Sequence, residues 1–143
     1  MYKDDNPYKK ENWYAYGPAV VAPGAGVVVD AVNDTRENDY KEKSVVYASI
    51  SEDALNRVLG GNYVVLDHGN GEFSYFAHMR PGSVRVKKGD HVQGHQIGEI
   101  GFAGDAFIPH LHYMLIDAPD ILRAEGLSSY FRNFHRVLGS SLI

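Results

Sequence analysis

Short β-branched runs punctuated by glycine turns dominate this chain, and that rhythm confines it to a fold built on antiparallel strands. The best-formed unit is Asn62 to His68 and Glu72 to Met79, joined across Gly69-Asn70-Gly71. Asn-Gly between two strand-like runs is a strong hairpin signal, because both residues tolerate the positive φ of a tight turn. Side chains alternate along a strand, so Phe73, Tyr75, Ala77 and Met79 are expected on one face and Glu72, Ser74, Phe76 and His78 on the other. Val20 to Ala22 and Val27 to Val32 flank a second turn cluster, Pro23-Gly24-Ala25-Gly26. Val84 and Val86 lead into the turn Lys87-Lys88-Gly89-Asp90, Gln96 to Gly101 reads as a further strand, and His110 to Asp117 as the last. The pattern predicts an all-β protein with an antiparallel β-sheet core.

Two stretches break the rhythm. Residues 33–60 read as a loop insertion between two strands, a solvated acidic loop from Asp34 to Glu42 followed by a short helix over Ser51 to Leu59 with Ser51 as its cap. Residues 119–143 read as a C-terminal extension, a short helical decoration in which Ile121 to Ala124 and Ser128 to Val137 look helical or irregular. A chain of 143 residues has the size of one domain, and 1–143 is read as one. The net charge of −4, with no dense Lys/Arg tract, argues against a nucleic-acid partner. Without cysteine there is no disulfide framework, zinc ribbon or thiol nucleophile. No apolar run is long enough to span a membrane, and Met1 to Trp13 has no apolar core like that of a signal peptide.

The chemistry gathers at Pro109-His110-Leu111-His112-Tyr113. Residues two apart on a strand share a face, so His110 and His112 are expected side by side. Neutral imidazole is the commonest metal-binding side chain and an acid/base near pH 7, so a strand carrying two beside a glycine-rich loop is half of a metal-hydrolase site. The other histidines have blander readings. His68 is expected to tie down the hairpin, and His91, His95 and His135 to be surface or packing residues. Asp105 is read as a turn former and Tyr8, Trp13, Tyr14 and Tyr16 as a cap over the sheet.

Taken in order, Gly17-Pro18-Ala19-Val20-Val21-Ala22-Pro23, Gly26-Val27-Val28, Gly61-Asn62-Tyr63-Val64-Val65-Leu66-Asp67-His68-Gly69-Asn70-Gly71, Phe76-Ala77-His78-Met79, Val86-Lys87-Lys88-Gly89-Asp90-His91-Val92, Gly101-Phe102-Ala103-Gly104-Asp105 and Pro109-His110-Leu111-His112 resemble the lysostaphin/LytM-type zinc metallopeptidases. The resemblance implies a LytM-like β-sandwich with a groove over the sheet, one wall of it Gly101 to Pro109. It implies a zinc ligand at His112, catalytic histidines at His110 and His78, and peptidoglycan peptides as substrate. It also implies a periplasmic, cell-envelope or extracellular location for the parent protein.

The sequence departs from the family pattern in a small way at Phe76, where the family often carries a tyrosine before Ala-His, and in a larger way upstream of Gly17. The family's zinc has three protein ligands, two of them in a His-x-x-x-Asp motif that belongs upstream of Gly17, yet no histidine precedes His68. The expectation is therefore a domain truncated at its N-terminus, with an upstream segment of the same protein as a partner and zinc binding weak or absent in this form. The alternative is a non-catalytic LytM-type module that binds peptidoglycan or activates an amidase. A sugar phosphocarrier, also a two-histidine β-fold, lacks the Pro-His-Leu-His strand and its glycine loop.

Overall fold

The structure, a computed structural model, describes residues 2–40 and 51–132. One turn of 3-10 helix at Lys10–Asn12 precedes the strands β1 (Ala19–Val21) and β2 (Gly26–Val32). The helix α1 (Glu52–Gly60) follows, then β3 (Asn62–Asp67), β4 (Phe73–Met79), β5 (His91–Val92), β6 (Gln96–Glu99) and β7 (His112–Ile116). These strands form a five-stranded sheet in the order β5-β2-β3-β4-β7 and a two-stranded sheet of β1 and β6, with every pairing antiparallel. The fold is thus mostly β, as the glycine-punctuated runs predict.

The β3–β4 hairpin turns where expected, with Gly69 and Gly71 at φ of 90° and 79°, values that a side chain would disfavour. His68 ties it down as the sequence suggests. Its Nδ1–H donates to the Ala25 carbonyl at 2.7 Å, and its Nε2 lies 2.8 Å from the Ser74 hydroxyl. Ser74 Oγ in turn lies 3.1 Å from the Tyr113 hydroxyl, so one polar chain links β7, β4 and the β1–β2 turn.

Two apolar layers flank the large sheet. On one face Val28, Val64, Leu66, Phe76 and Met79 pack with Val20 and Ala22 from the β1 region and Ile97 from β6. Each valine, leucine, isoleucine, phenylalanine or methionine among them contributes about 1.5–3 kcal/mol relative to exposure. On the other face Tyr63, Val65, Tyr75, Ala77 and Ile116 form a second cluster, joined by Phe73, Met114, Ile121 and Ala124. The end of α1 lies against this second layer, because a Cβ at Gly60 would sit 2.1 Å from the Tyr75 hydroxyl.

Met79 corrects the expected face assignment. Phe73, Tyr75 and Ala77 do share a face, but Met79 packs with Phe76 on the opposite one. The β3–β4 register slips by one between Asn62 and Val64, a β-bulge, and His78 carries a φ of 65°. An extra residue in one strand reverses the alternation beyond it.

At the C-terminal end the described residues follow the irregular of the two readings. The stretch after Pro119 makes a single turn, in which the Asp120 carbonyl accepts from the N–H groups of Arg123 and Ala124. It then pairs with the edge of β7 through Leu127 N–H to the Leu115 carbonyl and a bridge between Ile116 and Gly126. An unpaired strand edge offers backbone partners that a continuing helix would forfeit. Among the described residues no helix follows β7, and the part of the Ser128 to Val137 stretch from 133 onward lies outside them.

In the insertion, α1 begins at Glu52 after Ser51, as expected, although the Ser51 side chain makes no capping hydrogen bond. The acidic segment is not simply solvated: Glu37 has an 8% exposed side chain and receives Lys10 Nζ at 2.7 Å. Of the aromatic cap, Trp13 is buried and donates to the Pro7 carbonyl, whereas Tyr8 and Tyr14 remain exposed. No described helix is long and apolar enough to cross a membrane.

Candidate active site

Three histidines, one on β4, one at the start of β7 and one just before it, meet at one end of the large sheet. His112 opens β7 directly opposite Ala77 of β4, so the two share a face. His110 lies just before the strand rather than within it, after the buried Pro109. His78 follows Ala77, and regular alternation would send it to the far face. Its left-handed backbone instead brings its ring centroid to 4.7 Å from that of His110 and 5.6 Å from that of His112. Non-glycine residues rarely occupy this region, and the conformation costs on the order of 1–3 kcal/mol unless the surroundings enforce it.

The surroundings do enforce it. The His78 carbonyl accepts from Gly101 N–H at 2.9 Å, and its Nδ1 lies 2.8 Å from the Ala103 carbonyl. A Cβ at Gly101 would sit 2.4 Å from the Arg80 nitrogen, so only glycine lets this loop approach so closely. A second close approach supports the first. Gly61 and Gly104 are stacked so tightly that a Cβ on Gly61 would be 2.5 Å from Gly104 N, and one on Gly104 would be 2.4 Å from Gly61 N.

A carbonyl can only accept, so His78 carries its proton on Nδ1 and turns a lone pair on Nε2 to the site. His110 has the same arrangement, with Nδ1 2.8 Å from the Ile108 carbonyl. Burial, reinforced by the neighbouring His110, pushes the His78 pKa down to about 4. His112 is lowered for the same two reasons in the same order. Both rings are neutral at pH 7, the form that binds a metal or accepts a proton.

The three sequence-nominated histidines therefore converge, with one ring nitrogen from each lying within 4.8 Å of the others. Asp105 does not join them: it is exposed, and its N–H donates to the Leu59 carbonyl. His68, His91 and His95 line a shallow cleft of about 530 Å³ at the opposite end of the sheet. The residues that sequence reasoning missed are Ala103, whose carbonyl sets the His78 tautomer, and the glycine contacts that seat it. A main-chain acceptor leaves no trace in residue type.

A borderline metal such as zinc suits imidazole nitrogen and carboxylate donors. The converging nitrogens fit part of such a donor set. Among the described residues no carboxylate completes it.

The sequence profile of peptidase family M23 matches residues 13–121, a span that includes His78, His110 and His112. The chain belongs to peptidase family M23. Peptidases are hydrolases, so the family supplies the reaction class. A stretch of 62 residues is 44% identical to the peptidoglycan DD-endopeptidase ShyA of Vibrio cholerae, covering 43% of this M23 chain and 14% of that protein. The catalytic domain of lysostaphin from Staphylococcus simulans superposes with a TM-score of 0.53 at 24% identity, over 78% of this chain and 68% of that one. The catalytic domain of the prophage-encoded M23 protein EnpA from Enterococcus faecalis gives 0.51 at 19% identity, over the same shares of the two chains. These likenesses place the M23 chain's antiparallel sheets within the lysostaphin/LytM-type architecture.

Proposed function

We propose that this chain is part of a zinc-dependent endopeptidase that hydrolyses peptide bonds of bacterial peptidoglycan. The observation that carries the reading is the convergence of His78, His110 and His112 in a chain of peptidase family M23. The substrate class follows the likeness to the peptidoglycan DD-endopeptidase ShyA. A substrate of that kind puts the parent protein in the periplasm, the cell envelope or outside the cell.

His112 is the zinc ligand in this reading, offering a neutral ring nitrogen on the floor of the sheet. Zinc, when bound, polarises the scissile carbonyl and makes water a stronger nucleophile. His110 and His78 do the proton work. With Nδ1–H tied to backbone carbonyls, their Nε2 atoms accept the proton that the attacking water loses as its oxygen bonds to the carbonyl carbon. That proton passes to the leaving amine as the C–N bond breaks. Burial keeps His78 unprotonated and suits it to accept or orient rather than to begin as an acid.

The remaining two protein ligands, a His and an Asp, belong to an upstream segment of the parent, so the 143-residue form binds zinc weakly or not at all. Restoring that segment should create zinc-dependent cleavage of peptidoglycan peptides that His110→Ala and His78→Ala each abolish. An extended protein that binds zinc and cuts neither peptidoglycan nor small peptides would overturn the catalytic reading in favour of a binding or amidase-activating module. Stoichiometric zinc in the purified 143-residue monomer, measured by elemental analysis, would overturn the assignment of ligands.

A further inference from the structure

The acidic insertion, which the sequence presents as a solvated loop, grips the loop that holds His78. Glu37 and Ala103 form an antiparallel bridge. Glu37 Oε1 accepts from Phe102 N–H at 3.2 Å, and Asn38 N–H donates to the Phe102 carbonyl at 2.8 Å. The Asn38 side-chain amide then donates twice, to the carbonyls of Gly104 at 2.7 Å and Ala106 at 3.0 Å. Ala103, whose carbonyl receives the His78 ring proton, sits between the gripped residues Phe102 and Gly104.

The grip is anchored on its outer side as well. The second Glu37 oxygen, Oε2, accepts from the Tyr16 hydroxyl at 2.9 Å and lies 2.7 Å from Lys10 Nζ. A carboxylate with an 8% exposed side chain is costly to bury unless it is paired and hydrogen-bonded, and here both oxygens are engaged. Asn38 is half-buried, and its two N–H groups meet two carbonyls that would otherwise need water. Neither residue reaches the histidine cluster itself.

We propose that Glu37 and Asn38 are positioning residues for His78, fixing its tautomer and ring orientation by locking residues 102–106. The proposal rests on His78 belonging to the reactive site, but its test does not depend on hydrolysis. An acceptor fixed against one ring nitrogen sets which nitrogen faces the chemistry. Aspartate at position 38 would turn an acceptor towards two carbonyls, so Asn38→Asp should harm the loop more than Asn38→Ala. Glutamine at position 37 keeps an acceptor for Phe102 N–H, so Glu37→Gln should rescue what Glu37→Ala loses.

The measurement is the pair of imidazole ¹⁵N resonances of His78 at a fixed pH of about 7.5, where an unperturbed imidazole is already mostly neutral. In the unaltered chain they should be widely split, with the proton on Nδ1. In Asn38→Ala, Asn38→Asp and Glu37→Ala the split should collapse towards the average of the two tautomers, and in Glu37→Gln it should persist. His68, held by Ala25 and Ser74 at the far end of the sheet, should keep its own resonances in all four variants and so reports that the fold is intact. An unchanged His78 pair in Asn38→Ala and Glu37→Ala, with His68 also unchanged, would overturn the proposal. If Glu37→Ala does not fold, Asn38→Ala decides it alone, because that change removes two bonds from a half-buried side chain and no charge. A collapsed split in a protein whose His78→Ala variant still hydrolyses peptide would uphold the clamp and sink the catalytic reading.

Discussion

Ala77, not His78, stands opposite His112 in the β4–β7 ladder, so His78 reaches its partners only by leaving the strand's alternation. The positive φ at His78 is the physical cost of that departure. Alanine at this position keeps the strained backbone and loses the bond to Ala103, whereas asparagine tolerates the left-handed region. We expect His78→Asn to be more stable than His78→Ala by roughly 1 kcal/mol in urea denaturation. Equal stability, or the reverse order, would remove strain from the account of this position.

Acid should weaken the fold through the same residue. Burial holds the His78 pKa at about 4, against an ordinary value of 6.5. Between those values the unfolded chain takes up a proton that the folded chain refuses, so stability is lost as pH falls through that window. A shift of this size corresponds to about 3 kcal/mol when fully expressed. The gap in stability between the unaltered chain and His78→Asn should therefore shift in favour of the variant from pH 7.5 down to pH 4.5. A gap independent of pH would show that His78 is not the group responsible.

Gly61→Ala tests the loop contact. The new methyl would meet the Ala103 carbonyl carbon and Gly104 N at 2.5 Å, at a backbone φ of 67°. Crowding and strain together should cost on the order of 3 kcal/mol. The displaced loop should also move the His78 resonances. A variant with wild-type stability and unchanged His78 signals would contradict the packing described.

Tyr75→Phe should go the other way. The Tyr75 hydroxyl is buried, with no hydrogen-bond partner among the described residues. Desolvation raises its pKa, the signature of a polar group held away from water. Removing an unsatisfied hydroxyl while keeping the ring should stabilise the fold by about 1 kcal/mol or leave it unchanged. A loss of more than that in thermal denaturation would reveal a partner for the hydroxyl.

Much of the frame is legible in the sequence, for identifiable reasons. Gly69-Asn70-Gly71 between β-branched runs gives the central hairpin, and the spacing of His110 and His112 gives half of the histidine cluster. The face of Met79 is not legible, because the reversal depends on a left-handed histidine that no local pattern announces. Glu37 and Asn38 look like solvent-facing polar residues, and only partners about 65 residues away in the chain show otherwise. The stretch after Pro119 has residues suited to a helix, yet the edge of β7 claims its backbone.

The contact between Gly61 and Gly104 has a consequence for how the chain opens. The histidine cluster is closed by loops from three distant parts of the sequence, whereas the sheets rest on buried strand pairs. Loop closures of this kind form late and open first, at a free-energy cost below that of global unfolding. Mild heat or denaturant should therefore free the His78 and His110 rings from the Ala103 and Ile108 carbonyls while the strands still give a native far-ultraviolet signal. Failure of the cluster would then be an early warning of unfolding rather than its result.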